Sequence, residues 1–116
     1  MSITLYHNPR CSKSRSALEL IRKNGIEPVI IEYLKTPPAP DDLESLIKAS
    51  GMSARDFIRP SEPVYKALGL QDQSLTESDL ILAMTKNPIL IERPIAIAGN
   101  RVVIGRPPEN ILALIP

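Results

Sequence analysis

The chain has 116 residues, enough for one domain with a modest core. Its net charge is +1, 43% of its residues are hydrophobic and 23% charged, and with no Trp, one Phe and three Tyr the core must be aliphatic. This balance provides no global field for nucleic acid or an anionic membrane, and no apolar run reaches membrane-span length.

In chain order, Ile3 to Tyr6 is predicted as a short strand. His7-Asn8-Pro9-Arg10 follows as a loop, because Asn-Pro favours turns. A helix is expected from Cys11 or Ser12, with a hydroxyl available as its cap and Ala17, Leu18 and Ile21 on one face. Asn24-Gly25 ends it, and the β-branched run Val29 to Tyr33 is a second strand. Strand, helix, strand over this length is a βαβ unit with a parallel pair.

Thr36-Pro37-Pro38-Ala39-Pro40 is a rigid connector. Helices are then expected at Asp41 to Ser50, Ser53 to Ile58 and Pro63 to Leu68. A further helix follows a capping signature at Thr76-Glu77-Ser78-Asp79 and stops at Asn87-Pro88. Pro94 to Ala98 and Arg101 to Ile104 flank Gly99-Asn100 as a hairpin. Pro107-Pro108-Glu109 opens a last helix, with Ile111, Leu112 and Ile115 facing inward. The expected architecture is therefore α/β, a single domain over residues 1–116. It has a mixed sheet and a helical insertion at about 40–88.

Cys11 carries the chemistry. A lone Cys is more often a buried structural residue, but this one falls where a polar loop meets a helix start. Free backbone N–H groups and the helix dipole favour a thiolate there, and Arg10, Lys13 and Arg15 add positive charge. The same N–H groups can receive an anion. Arg59, Arg93 and Arg106 each precede a Pro, which keeps the Arg backbone extended, and Arg suits forked contacts with oxyanions. His7, the only His, can assist the thiol across the turn if protonated. One Cys and one His do not make a metal ligand set. The single Cys cannot form an internal disulfide, and the absence of a charged-then-apolar leader points to the reducing cytoplasm.

The stretch Tyr6-His7-Asn8-Pro9-Arg10-Cys11-Ser12-Lys13-Ser14-Arg15 resembles the active-site segment of the glutaredoxin-linked arsenate reductases. The resemblance continues through Tyr33-Leu34-Lys35-Thr36-Pro37-Pro38, Ile58-Arg59, Leu68-Gly69-Leu70, Asn87 to Ile95 and Gly105 to Glu109. It implies a thioredoxin-like fold with Cys11 as the catalytic cysteine and Arg59, Arg93 and Arg106 as oxyanion contacts. His7 and Ser14 match thiolate-supporting residues, and Pro94 matches the cis-proline that faces the cysteine. No bound cofactor is implied; glutathione is the co-substrate and glutaredoxin the partner. The match departs at Ser12 and Lys13, where the best-known members have Gly-Thr.

Two groups share much of this pattern: reductase-like proteins without an assigned role, and RNA-polymerase-binding redox regulators. The regulators use a Cys-x-x-Cys switch, and Ser14 stands where its second Cys would be. A thiol oxidoreductase acting on another oxyanion is a further alternative. A cysteine phosphatase ranks last, because its loop resembles Cys-x5-Arg and Arg15 follows Cys11 after only three residues.

Overall fold

The computed structural model describes Ser2–Pro116. The chain divides into two compact units: residues up to Thr36 together with Arg93–Pro116, and Pro37–Glu92.

The first unit holds four strands: β1 (Thr4–Tyr6), β2 (Val29–Ile31), β3 (Ile95–Ala98) and β4 (Arg101–Ile104). They form one sheet in the order β2-β1-β3-β4. β1 pairs with β2 in parallel, and with β3 antiparallel; β3 pairs antiparallel with β4. With α1 (Ser12–Lys23) crossing from β1 to β2, this is the mixed sheet of a thioredoxin-like fold. The register places Tyr6 opposite Ile31 on one side and Ile95 on the other, and Ile95 opposite Ile104. The loop after β1, the turn after β2, the residue before β3 and the residues after β4 therefore all lie at one end of the sheet.

The core of this unit is aliphatic: Ile3, Leu5, Ala17, Ile21, Ala96, Ile111 and Leu114 form one buried cluster, with Leu18 packed against it. Each fully buried Leu or Ile side chain stabilises the fold by about 1.5–3 kcal/mol. The hairpin closes at Gly99, whose φ is 62°, while Asn100 keeps negative φ. That combination suits a type II′ turn, which twists with its strands.

Three expectations change here. The second strand stops at Ile31, because Glu32 accepts the N–H groups of Lys35 and Thr36 in a turn that buries Tyr33. The first helix is capped by Cys11, with Ser12 as its first helical residue and no side-chain cap hydrogen bond. The final helix is a 3₁₀ helix, Pro108–Leu114. Pro108, Ile111 and Leu114 are buried, a repeat of three that matches the 3₁₀ turn, so Leu112 is exposed and Leu114 faces inward in its place.

Gly105 sits against this packing. A Cβ there would lie 2.8 Å from Pro94 Cγ and 2.9 Å from Ile111 Cδ1. Gly105→Ala is expected to destabilise the protein by about 1–3 kcal/mol through overpacking. A urea midpoint equal to that of the wild type would refute this.

The second unit is helical: α2 (Pro40–Ser50), α3 (Ala54–Phe57), α4 (Pro63–Ala67), α5 (Glu77–Lys86) and a 3₁₀ turn, Pro88–Leu90. Its boundaries follow local chemistry. Gly51 ends α2 in the left-handed conformation, with φ 74°. Thr76 and Asp79 form a reciprocal capping box at the start of α5, as do Ser53 and Asp56 at α3. Leu43, Ile47, Phe57, Leu80, Met84 and Leu90 are buried.

Candidate active site

Cys11 is a partly buried free thiol. The loop that delivers it is tightly tied. The Cys11 N–H donates to the Asn8 carbonyl at 3.0 Å, and the Arg10 N–H donates to Asn8 Oδ1 at 3.0 Å. The His7 N–H donates to the Ile31 carbonyl at 2.9 Å, continuing the β1–β2 ladder into the loop. Arg15 Nη1 donates to the Pro9 carbonyl at 2.9 Å, so this guanidinium braces the loop from the first turn of α1.

Opposing influences act on the Cys11 thiol. Burial pushes its pKa up, but the Ser14 N–H, the Arg93 guanidinium and the Lys13 N–H together outweigh it. The net pKa lies below the ordinary thiol value, so the thiolate forms more readily than in an ordinary cysteine. The two amides act from the first turn of a helix, where N–H groups have no intrahelical partner. Because these donors belong to the backbone, the change from Gly-Thr to Ser12-Lys13 does not remove them.

The charge that matters most comes from far along the chain. The side chains of Arg10, Lys13 and Arg15 are exposed, whereas Arg93, two residues before β3, interacts with the sulfur directly. Arg93 Nε and Nη1 are buried and have no hydrogen-bond partner among the described residues. Leaving such donors unmet costs about 1–3 kcal/mol or more per group, so the guanidinium is poised for an acceptor. Arg106 lies beside it, with Nη1 3.5 Å from the Arg93 carbonyl. The Arg93-Pro94 peptide is cis, as the resemblance implies, and Arg106-Pro107 is cis as well.

The fold thus brings together Cys11, Arg93 and Arg106 at one end of the sheet. Arg59 belongs to the helical unit. There its Nη1 is 3.1 Å from Glu62 Oε2 and its Nε is 4.0 Å from Glu92 Oε1. Lys and Arg outnumber Asp and Glu roughly two to one in the sheet unit, and the ratio reverses in the helical unit. A net charge of +1 conceals this separation.

His7 and Ser14 are both buried. His7 Nδ1 is 2.6 Å from Ser14 Oγ, which also accepts the Asn8 N–H at 3.0 Å. With one lone pair of the hydroxyl so occupied, its proton is free to point to Nδ1 of a neutral ring. Burial is the main reason the His7 pKa is lowered; Glu32 opposes the shift, while Arg22 and Arg15 reinforce it. A neutral His7 therefore supports the site by fixing Ser14, whose N–H faces the sulfur. Direct help to the thiol from His7 was expected only if the ring is protonated, and this burial disfavours that state.

A lowered histidine pKa has a consequence for stability. The unfolded chain takes up a proton near the ordinary value of 6.5, while the folded chain resists it. Stability is expected to fall as pH drops through that value, and to level off below the folded pKa. His7→Gln removes the only His, so its unfolding free energy should be flatter as pH falls below about 6.5. Equal pH slopes for the two proteins in urea titrations would refute this.

Asn8, Glu32, Leu34 and Lys35, none of them a predicted site residue, line a cavity with the loop that precedes Cys11. Asn8 carried a local signal, the Asx turn in Asn8-Pro9-Arg10. The other three follow β2 and reach the site only through strand pairing. Together with His7, Pro9 and Arg10 they line a cavity of about 320 Å³. Among the described residues no cluster of three or more His, Cys, Asp and Glu is placed to hold a metal, and no helix is long and apolar enough to cross a membrane.

Comparison with known proteins agrees with this architecture. The sequence profile of the ArsC family matches residues 6–114. The chain is 50% identical to YfgD of Escherichia coli strain K12, an uncharacterized protein, over 97% of this chain and 96% of that one. It is 44% identical to an arsenate reductase of Escherichia coli, over 99% of this chain and 82% of that one. The solved arsenate reductase from Vibrio cholerae superposes with a TM-score of 0.97 at 42% identity, covering 99% of this chain and 98% of that one. With a matching profile across nearly its whole length and relatives at this level of identity, the chain belongs to the ArsC family.

Proposed function

We propose that the protein is an arsenate reductase that uses Cys11 as nucleophile and glutathione as its external thiol. The observation that carries this reading is the pairing of a thiol with lowered pKa and a guanidinium that touches it while its buried Nε and Nη1 lack partners among the described residues. A nucleophile and an anion receptor are adjacent, as attack on an oxyanion requires.

The steps balance as follows. The Cys11 thiolate bonds to arsenic, and an arsenate hydroxyl leaves with a proton as water. Arg93 and Arg106 offset the negative charge of the oxyanion, and the Ser14 and Lys13 amides hold the sulfur. Reduction of arsenic(V) to arsenic(III) needs two electrons, which two thiols supply by forming one disulfide. Cys11 is the only Cys, so the second thiol comes from outside. The glutathione thiolate attacks the Cys11 sulfur, an S–S bond forms, the S–As bond breaks, and its electron pair stays on arsenic, which leaves as arsenite. Glutaredoxin then restores Cys11 by thiol–disulfide exchange. This cycle requires no bound cofactor, and it suits the reducing cytoplasm.

The test is a coupled assay with arsenate, glutathione, glutaredoxin and NADPH. Arsenate-dependent NADPH oxidation by the wild-type protein is the expected result. Absence of turnover with arsenate, alongside turnover with another oxyanion, would overturn the substrate assignment. The same assay on Arg59→Ala tests the third arginine of the family resemblance.

A further inference from the structure

Attack by a thiolate on a sulfur is collinear: the incoming sulfur approaches opposite the bond that breaks. If arsenic is bound on the Arg93 and Arg106 side of Cys11, the second thiol must arrive from the other side. β1 leads into Cys11, β3 and β4 carry Arg93 and Arg106 at their ends, and β2 flanks β1 on the opposite edge. The residues at that end of β2 are Glu32, Leu34 and Lys35, and with the His7–Arg10 loop they enclose the cavity of about 320 Å³.

Resting on the reading of Cys11 as the arsenate-attacking thiolate, we propose that this cavity seats the thiol co-substrate, a small peptide thiol bearing carboxylates and an ammonium group. Its size falls at the small end of ligand pockets, which span roughly 300–1,000 Å³. Its charges are of both signs. Arg10 and Lys35 are exposed cations suited to carboxylates, and Glu32 is suited to an ammonium. Lys35 Nζ and Glu32 Oε1 stand 3.5 Å apart, with the Lys35 side chain largely in water and that of Glu32 partly so. An ion pair so open to solvent contributes little, so a zwitterionic ligand can replace it. Leu34 is 39% exposed and offers the peptide's methylene groups an apolar wall. A small thiol without charges would gain little from such a lining.

Two measurements on the full chain decide the matter. The first is titration of the ¹⁵N-labelled protein with S-methylglutathione, which cannot react. Shifts are expected at the amides of Asn8, Arg10, Glu32 and Lys35. Shifts confined to Arg93, Ile95 and Arg106, or no shifts at all, would overturn the proposal. The second is steady-state kinetics of Lys35→Glu, in which KM for glutathione should rise about tenfold while KM for arsenate stays unchanged. Equal change in both constants, or change in neither, counts against the cavity. A wild-type protein inactive on arsenate would refute the arsenate reading, and the S-methylglutathione shifts would still decide whether the cavity takes a peptide thiol.

Discussion

Replacing Cys11 with Ser is expected to lower arsenate turnover by at least about a thousandfold, because no other side chain can take over the nucleophile's role. A hydroxyl in this position stays protonated near neutral pH, and it cannot supply an electron pair through a disulfide. The amides of Ser14 and Lys13 would still face the residue, so anion binding should survive the change. The thiol itself is read by its alkylation rate against pH. Iodoacetamide reacts with the thiolate, so the rate should rise with pH to a plateau whose midpoint lies below the ordinary thiol value. The direction follows from the balance at Cys11: burial opposes ionisation, and the two amides and the Arg93 guanidinium exceed it. A midpoint at the ordinary thiol value, or turnover by Cys11→Ser, would remove the basis of the mechanism.

Arg93→Ala should reduce kcat/KM for arsenate by about a hundred- to a thousandfold, the usual scale for losing one preorganised donor to a developing oxyanion. Two effects combine. The guanidinium interacts with the Cys11 sulfur, so its loss raises the thiol pKa and shrinks the thiolate fraction. Its Nε and Nη1 are buried donors without a partner among the described residues, so its loss also removes contacts available to arsenate. The alkylation midpoint separates these effects. It should move up in Arg93→Ala without reaching the ordinary value, because the Ser14 and Lys13 amides remain. Arg93→Lys should recover part of the midpoint shift through charge, and little of kcat/KM, since an ammonium cannot fork to two oxygens. Wild-type kinetics in Arg93→Ala would exclude the anion role altogether.

What the chain encodes locally was readable without any structure. Gly25 and Gly51 stop helices because they adopt positive φ, and Thr76 with Asp79 starts one because the two residues satisfy each other's backbone groups. The thiol at a helix start was equally visible, since Asn8-Pro9 favours a turn and the apolar helical spacing begins only after Cys11. These signals span three or four residues, and local sterics and hydrogen bonding decide them. Longer-range outcomes were not decided that way. Arg10, Lys13 and Arg15 lie near Cys11 in sequence, yet the cation at its sulfur is Arg93, because β3 pairs with β1 and carries that residue to the same end of the sheet. His7 is neutral because the packed sheet buries it, a desolvation that no sequence neighbour announces. The tail winds as a 3₁₀ helix because Pro108, Ile111 and Leu114 must all reach the core, and the shape of that core belongs to α1 and the strands. Propensity is a property of a few adjacent residues, whereas burial and charge at a site depend on which distant segments the fold brings together.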